Sequence, residues 1–389
     1  MSILENELRQ CYEEMVGWRR HLHQNPELSF QEYRTAEFVA AHLRSWGIEV
    51  RTQVGGNGVV GLLRGADNGP TVALRADMDA LPIQDEKKCE YSSLVQGVMH
   101  ACGHDAHTST LLGVAKVASQ HRDQLKGNLL FLFQHAEETT PGGANAMIQD
   151  GALDGVDAVF GVHLWTPFPV GHVYAKAGPM MAAPDEFIIR IQGKGGHGGL
   201  PHQAIDSIHV ASQLVVNLQS IVSRSVDPIE PCVVSIGSFH AGSSFNVIAE
   251  TSTLTGTVRT FNPELQKDVK ARMERMVDST CNMFQATYGF DYKMGYPPVV
   301  NDANEAERFF KVGTSLFGEA FVHESPLIMA GEDFSYYLHH RPGCYMFVGA
   351  GNVEAGIIHP HHHPKFDIDE RSMLNAARLL LGMALDYMA

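Results

Sequence analysis

Apolar positions along this chain switch between two spacings. Up to about residue 46 they recur at helical intervals, with Pro26 as an interruption. GVVGLLRG (58–65) and TVALRAD (71–77) are strand-length runs separated by the turn-forming ADNGP. A helix is predicted from about Thr108 through STLLGVAKVASQHRDQL. NLLFLFQHAEE (128–138) and AVFGVHLW (158–165) are short, wholly apolar runs that stop abruptly at charge or histidine. Apolar strands alternating with helices predict an α/β fold with a mostly parallel sheet and helices on both faces.

The pattern changes near residue 183. DEFIIRIQG reads as a strand, AIDSIHVASQLVVNLQSIVSR as an amphipathic helix, and PCVVSIGSF and ETSTLTGTVRTF as two more strands. Asn262 and Pro263 suit the cap and first residue of a helix reaching about Tyr288, and FDYKMGY closes as a strand. The order β-α-β-β-α-β is that of a ferredoxin-like α+β unit. Helix resumes at NEAERFFKVGTSLFG, CYMFVGAG reads as a buried strand, and Asp369 is placed to cap a last amphipathic helix. The expected organisation is one α/β domain, 1–182 and 297–389, interrupted by an inserted domain at 183–296.

Composition narrows the function. A formal charge of -15 argues against nucleic acid or an anionic membrane as partner. The polar, helical N-terminal stretch and the lack of a long apolar run predict no signal peptide and no membrane span. Cys11, Cys89, Cys102, Cys232, Cys281 and Cys344 have no paired spacing, so the expected compartment is a reducing cytoplasm. The 21 histidines are a high count that permits metal binding without establishing it.

Chemistry-bearing residues gather where apolar strands stop, the edge at which parallel sheets form ligand sites. MHACGHDAHT (99–108) holds Cys102 and His104 two residues apart, followed by Asp105 and His107. A redox C-x-x-C is excluded, because no second cysteine is near. Glu137 and Glu138 follow a buried strand; paired carboxylates there allow one to bind metal while the other takes a proton from water. His163 ends another strand, and HPHHHPKF (359–366) supplies further imidazoles. One Cys, one Glu and three His are too many donors for a closed tetrahedral zinc site and fit two metals sharing a ligand, for which the thiolate is the natural bridge. Such mixed S, N and O donors suit zinc, cobalt, nickel or manganese. Asp77 and Asp79 in RADMDALP are placed to support a ligand histidine.

On these residues the sequence resembles the amidohydrolases that include hippurate hydrolase, N-acyl-L-amino-acid amidohydrolases and indoleacetyl-amino-acid hydrolases, relatives of aminoacylase and dizinc carboxypeptidases. The likeness runs from RRHLHQNPELSFQEYRTAEFV through LRADMDALP, GVMHACGHDAHT, AEE, FGVHLW, GKGGHGGLPH and GEDFSYY to HHPKF. It implies a dizinc exopeptidase-like fold in which the insertion is a lid and dimerisation domain. It implies that Cys102, His104, Glu138, His163 and His362 bind two divalent metal ions, with Cys102 bridging. His362 is preferred to His361 and His363 because His362, Pro364 and Phe366 match the family pattern. Glu137 is implied as catalytic base and Asp79 as the aspartate that orients a ligand imidazole. His197 in the lid is implied to reach an active site, often the partner subunit's, and Asn246 and Arg259 to face substrate. His135 stands where many members have proline, a departure that leaves Glu137 and Glu138 in place.

The implied activity is metal-dependent hydrolysis of the amide bond of N-acyl amino acids, hippurate-like or N-acetyl, by a homodimer or higher homo-oligomer formed through the lid. A dipeptidase, a carboxypeptidase or an N-acyl-diaminopimelate deacylase would use the same centre. A non-catalytic metal-binding protein would have no need of a second carboxylate beside the ligand, nor of an oxyanion donor on a separate domain.

Overall fold

The structure is a computed structural model that describes residues 2–389. The chain divides into two compact units. One comprises Met1–Met180, Val300–Pro326 and Asp333–Ala389; the other comprises Met181–Val299 and Leu327–Glu332. The short return of residues 327–332 to the second unit carries no signal in the sequence.

The first unit is built on an eight-stranded, mainly parallel sheet flanked by helices. Its strands run in the order Glu49–Val54, Gly58–Leu63, Asn128–Gln134, Thr71–Asp77, Ala158–Pro169, Gly343–Gly351, Val173–Ala175 and Val322–Glu324. The four central strands, from Asn128–Gln134 to Gly343–Gly351, are mutually parallel. Asn128–Gln134 is buried from Leu129 onward and Gly343–Gly351 throughout, as continuous apolar runs in a covered parallel sheet require.

Helix His104–Gln120 begins four residues before the start its sequence suggests. Every residue from His104 to Ala115 is buried, so the helix lacks the one-sided apolar stripe by which a surface helix announces its start. Leu111, Leu112, Val114 and Ala118 from it pack with Leu74, Phe131, Phe160 and Met346 of the sheet and with Leu380 and Met383 of the last helix, Arg371–Tyr387. The Asp369 carboxylate accepts the Arg371 N–H at 3.1 Å, at the start of that helix.

The second unit has a four-stranded antiparallel sheet in the order Cys232–Ala241, Thr251–Thr260, Ala183–Gln192, Thr287–Lys293. Ala183–Gln192 alternates between buried and more open positions, the mark of a one-sided sheet. Phe187, Ile189 and Ile191 on its inner face pack with Leu214 and Leu218 of helix Ser207–Ser220 and with Val269, Met273 and Val277 of helix Pro263–Met283. Asn262 caps the latter through Oδ1, which accepts Glu264 N–H at 2.9 Å, with Pro263 at the first position. That helix ends at Met283, short of Tyr288, because Thr287–Lys293 is drawn into the sheet beside Ala183–Gln192.

Among the described residues no helix is long and apolar enough to cross a membrane.

Candidate metal centre

The register of the parallel strands lines up their carboxyl ends. Asp77 stands opposite Gln134, Arg75 opposite Gly161, and His163 opposite Phe347. Residues just beyond these positions share one rim, the edge of a parallel sheet where ligand sites form.

Gly103 adopts φ 95°, a left-handed conformation that glycine takes without strain. It turns the chain sharply, and Cys102 and His104 both face the rim across it. His104 Nδ1 lies 2.9 Å from the Asp79 carbonyl and 3.2 Å from its Oδ1, so Nδ1 is the donor. In the neutral imidazole, the form that binds a cation, Nε2 then carries the lone pair; that atom is buried with no hydrogen-bond partner. The same logic fixes His163: Nδ1–H donates to the Leu164 carbonyl at 3.0 Å, and Nε2 points at Cys102 Sγ, 3.4 Å away.

Glu138 completes one side of the cluster. Its Oε1 is buried without a hydrogen-bond partner, 3.9 Å from His104 Nε2, and its Oε2 lies 3.3 Å from His362 Nε2. Donor atoms of Cys102, His104 and Glu138 fall within 4.8 Å of one another, and so do those of Cys102, His163 and His361. Cys102 is common to both triplets. Buried lone pairs with nothing to accept, arranged around a shared sulfur, fit divalent cations.

The electrostatics agree. Burial works against charge on His104, but Asp77, the hydrogen bond to Asp79 and Glu138 outweigh it and lift its pKa to about 10. Burial, then Glu138, Glu137 and Asp77, push the Cys102 thiol well above its ordinary range. The pocket thus favours positive charge, and a bound cation would turn the thiol into a thiolate. Burial and the neighbouring imidazoles of His107 and His361 hold His163 neutral, the form that ligates.

Asp77, His104 and His107 form a third cluster of potential donors, but both His107 nitrogens are engaged. Nδ1 donates to Asp77 Oδ1 at 2.7 Å, and Nε2 accepts the Leu164 N–H at 2.9 Å. Since the Leu164 carbonyl holds His163, His107 anchors the residue that orients a donor imidazole rather than offering a lone pair itself.

The histidine-rich loop divides. His362 meets Glu138 and holds φ 64°. His361 reaches the Cys102–His163 side and stacks on Trp165 with centroids 4.3 Å apart; sequence reasoning passed it over, and the run HHHP was its only signal. His363 turns away to stack on His359.

In the second unit, His197 lies on the two-residue strand Gly196–His197 and pairs with Val247, next to Asn246. The Asn246 carbonyl accepts the Gly198 N–H at 2.8 Å. Both side chains are exposed. Arg259 is not with them. It lies opposite Pro184 near the far end of the Thr251–Thr260 strand, with Nε donating to the Met329 carbonyl at 3.1 Å. Thr251 lies at the end nearer the His197 hairpin, and Arg259 is roughly 26 Å along the strand from it.

Comparison with known proteins gives the same direction. The family model described as Peptidase family M20/M25/M40 matches residues 73–386. An N-acyl-L-amino acid amidohydrolase of Geobacillus stearothermophilus is 52% identical over 288 residues, 74% of this chain and 78% of that protein. Thermostable carboxypeptidase 2 of Saccharolobus solfataricus is 40% identical over 94% of this chain and 93% of its own. The crystal structure of the Bacillus subtilis YXEP protein, described as a dinuclear metal binding peptidase from the M20 family, superposes with a TM-score of 0.83 at 34% identity, covering 98% of this chain and 99% of that one. By this match, by full-length likeness and by a metal-fitting rim, the chain belongs to peptidase family M20/M25/M40 and is a hydrolase of that family.

Proposed function

We propose that this chain hydrolyses the amide bond of N-acyl amino acids, releasing a carboxylic acid and a free amino acid. One observation carries the reading: two adjacent carboxylates that divide their labour. Glu138 offers oxygens to the Cys102–His104 side and to His362, while Glu137, with Oε2 3.9 Å from His104 Nε2, joins neither triplet that shares Cys102.

In this reading Cys102, His104, Glu138, His163 and His362 would hold two divalent cations, and His361 lies beside Cys102 and His163. The donor set suits manganese, zinc, cobalt or nickel. When bound, the cations lower the pKa of water and polarise the substrate carbonyl. Glu137 takes the proton of the attacking water and passes it to the leaving nitrogen. Asp79 keeps His104 in the tautomer that presents Nε2. His197 donates to the oxyanion as it develops, a contact worth about 3–4 kcal/mol. A guanidinium matches carboxylate geometry, so Arg259 holds the substrate's free carboxylate, and Asn246 adds a polar contact.

The separation of His197 and Asn246 from Arg259 supports a homodimer. An N-acyl amino acid is about 7 Å long, two residues of extended chain. It cannot meet both ends of one lid sheet, so the active assembly is one in which two lids serve one substrate.

Glu137→Ala should retain two metals per chain and lose hydrolysis by about 1,000-fold or more. Turnover near wild type would refute Glu137 as base. The carboxypeptidase relative favours one second reading, cleavage of a peptide beside a free carboxylate. Hippurate, acetyl-amino acids, indoleacetyl conjugates and dipeptides assayed side by side decide between them.

A further inference from the structure

Besides His362, two non-glycine residues beside the centre hold left-handed backbone: Phe30 at φ 65° and Ala136 at φ 52°. Residues with a side chain occupy that region sparsely, and surrounding structure must keep them there. Both donate their N–H to one atom, Glu32 Oε1, at 2.9 and 2.8 Å. The second oxygen of Glu32 accepts from Asn57 Nδ2 at 3.0 Å. Glu32 is fully buried. A carboxylate taken out of water is costly unless hydrogen bonds satisfy it, and charge-assisted bonds to N–H groups are the strong kind.

Ala136 is where the chain leaves the Asn128–Gln134 strand and turns into Glu137. On the other side of Glu137, the Glu138 N–H donates to Asp79 Oδ2 at 3.0 Å, an oxygen that also accepts from Ser29 Oγ at 2.7 Å. The residues before and after Glu137 are thus each tied by a backbone N–H to a buried carboxylate. Glu32 and Ser29 both come from LSFQE (28–32), a stretch the catalytic scheme does not use.

We infer that Glu32 is a positioning residue that fixes the turn at Ala136 and so aims the Glu137 carboxylate; this rests on reading Glu137 as the catalytic base. It acts on the direction of the base and not on metal binding, because its bonds end at Ala136, Phe30 and Asn57.

The test measures kcat, KM and metal per chain on the metal-loaded enzyme. Glu32→Ala frees the turn and should lower kcat by about 100-fold, the cost of displacing a reacting group by about 1 Å. KM and metal content should stay at wild-type values. Glu32→Gln should recover most of kcat: its carbonyl oxygen still accepts both N–H groups, and Asn57 can rotate its amide to accept from the new NH2. Glu32→Asp keeps the charge but falls short of Ala136, so it should lose kcat as Glu32→Ala does, and it carries the test should Glu32→Ala fail to fold. Wild-type kcat in the Ala and Asp variants, or metal lost in proportion to kcat, overturns the inference. Glu137→Ala measured alongside separates the two claims. An active Glu137→Ala sinks the base reading, whereas an inactive Glu137→Ala with unimpaired Glu32 variants sinks only the role of Glu32.

Discussion

Arg19 offers a quantitative test of what holds helix His104–Gln120 in place. It lies in helix Tyr12–Gln24 with no exposed surface, and its guanidinium serves three carboxylates. Nε bonds Asp105 Oδ2 at 2.9 Å, Nη2 bonds Asp367 Oδ1 at 2.7 Å, and Nη1 bonds Glu370 Oε1 at 3.1 Å. Asp105 is fully buried beside His104, and Asp367 and Glu370 are mostly so. Arg19→Met fills similar space and leaves those charges facing one another. Removing one partner of a buried pair costs about 3–5 kcal/mol. His23, whose Nδ1 lies 2.7 Å from Asp105 Oδ2, offsets part of the loss, so about 3–4 kcal/mol is expected. At about 2 °C per kcal/mol for a unit of this size, this lowers the melting temperature by roughly 7 °C.

The pH dependence has a definite sign. Burial works to raise the folded-state pKa values of Asp105 and Asp367, but Arg19 leads the charges that overcome it and depress them. Their contribution is therefore present above the unfolded carboxylate pKa and lost as pH falls through the folded values. Without Arg19 the folded values rise, so the defect of Arg19→Met should be full near pH 7 and shrink toward pH 4. Urea unfolding of the chelated protein at both pH values measures it, with chelation removing stabilisation by bound metal. A defect below about 1 kcal/mol at pH 7, or one equal at the two pH values, would refute the account.

Two further outcomes follow from the centre. Asp79→Asn removes the charge that holds His104 and the Glu138 N–H, and should weaken metal binding by about 10–100-fold in competition with a chromogenic chelator; unchanged affinity would show that His104 is oriented by other means. Chelation should abolish hydrolysis and lower the melting temperature, and added manganese or zinc should restore both, with the melting temperature rising as the logarithm of free metal. A melting temperature indifferent to metal would mean that the buried lone pairs of His104 and Glu138 are satisfied in another way.

Part of the rim is legible from sequence because several of its residues stand where an apolar run gives way to polar residues. Asp77 and Glu137–Glu138 are marked by the end of an apolar run; His163, expected to end its strand, instead lies within Ala158–Pro169, which continues to Pro169 beside Gly343–Gly351. The start of the helix at His104 is not legible, since a helix buried on all sides has no polar face to set its period. Contacts between distant segments are equally hidden: Arg19 and Asp105 are 86 residues apart, and Glu32 and Ala136 are 104. Three consecutive histidines look alike in sequence. Only backbone geometry separates His362 at Glu138, His361 at Cys102 and His163, and His363 on His359. Asn246 and Arg259 are thirteen residues apart in sequence, and only the register of the second unit's strands shows that they occupy opposite ends.

The enclosure of the His104–Gln120 helix bears on how its amides meet solvent. Its first turn carries the donor His104, yet no residue from His104 to Ala115 is open to solvent. Small breathing motions at the surface leave this segment untouched, so its amides exchange with deuterium only when the surrounding unit opens as a whole. Exchange of these amides and cooperative melting therefore share one barrier.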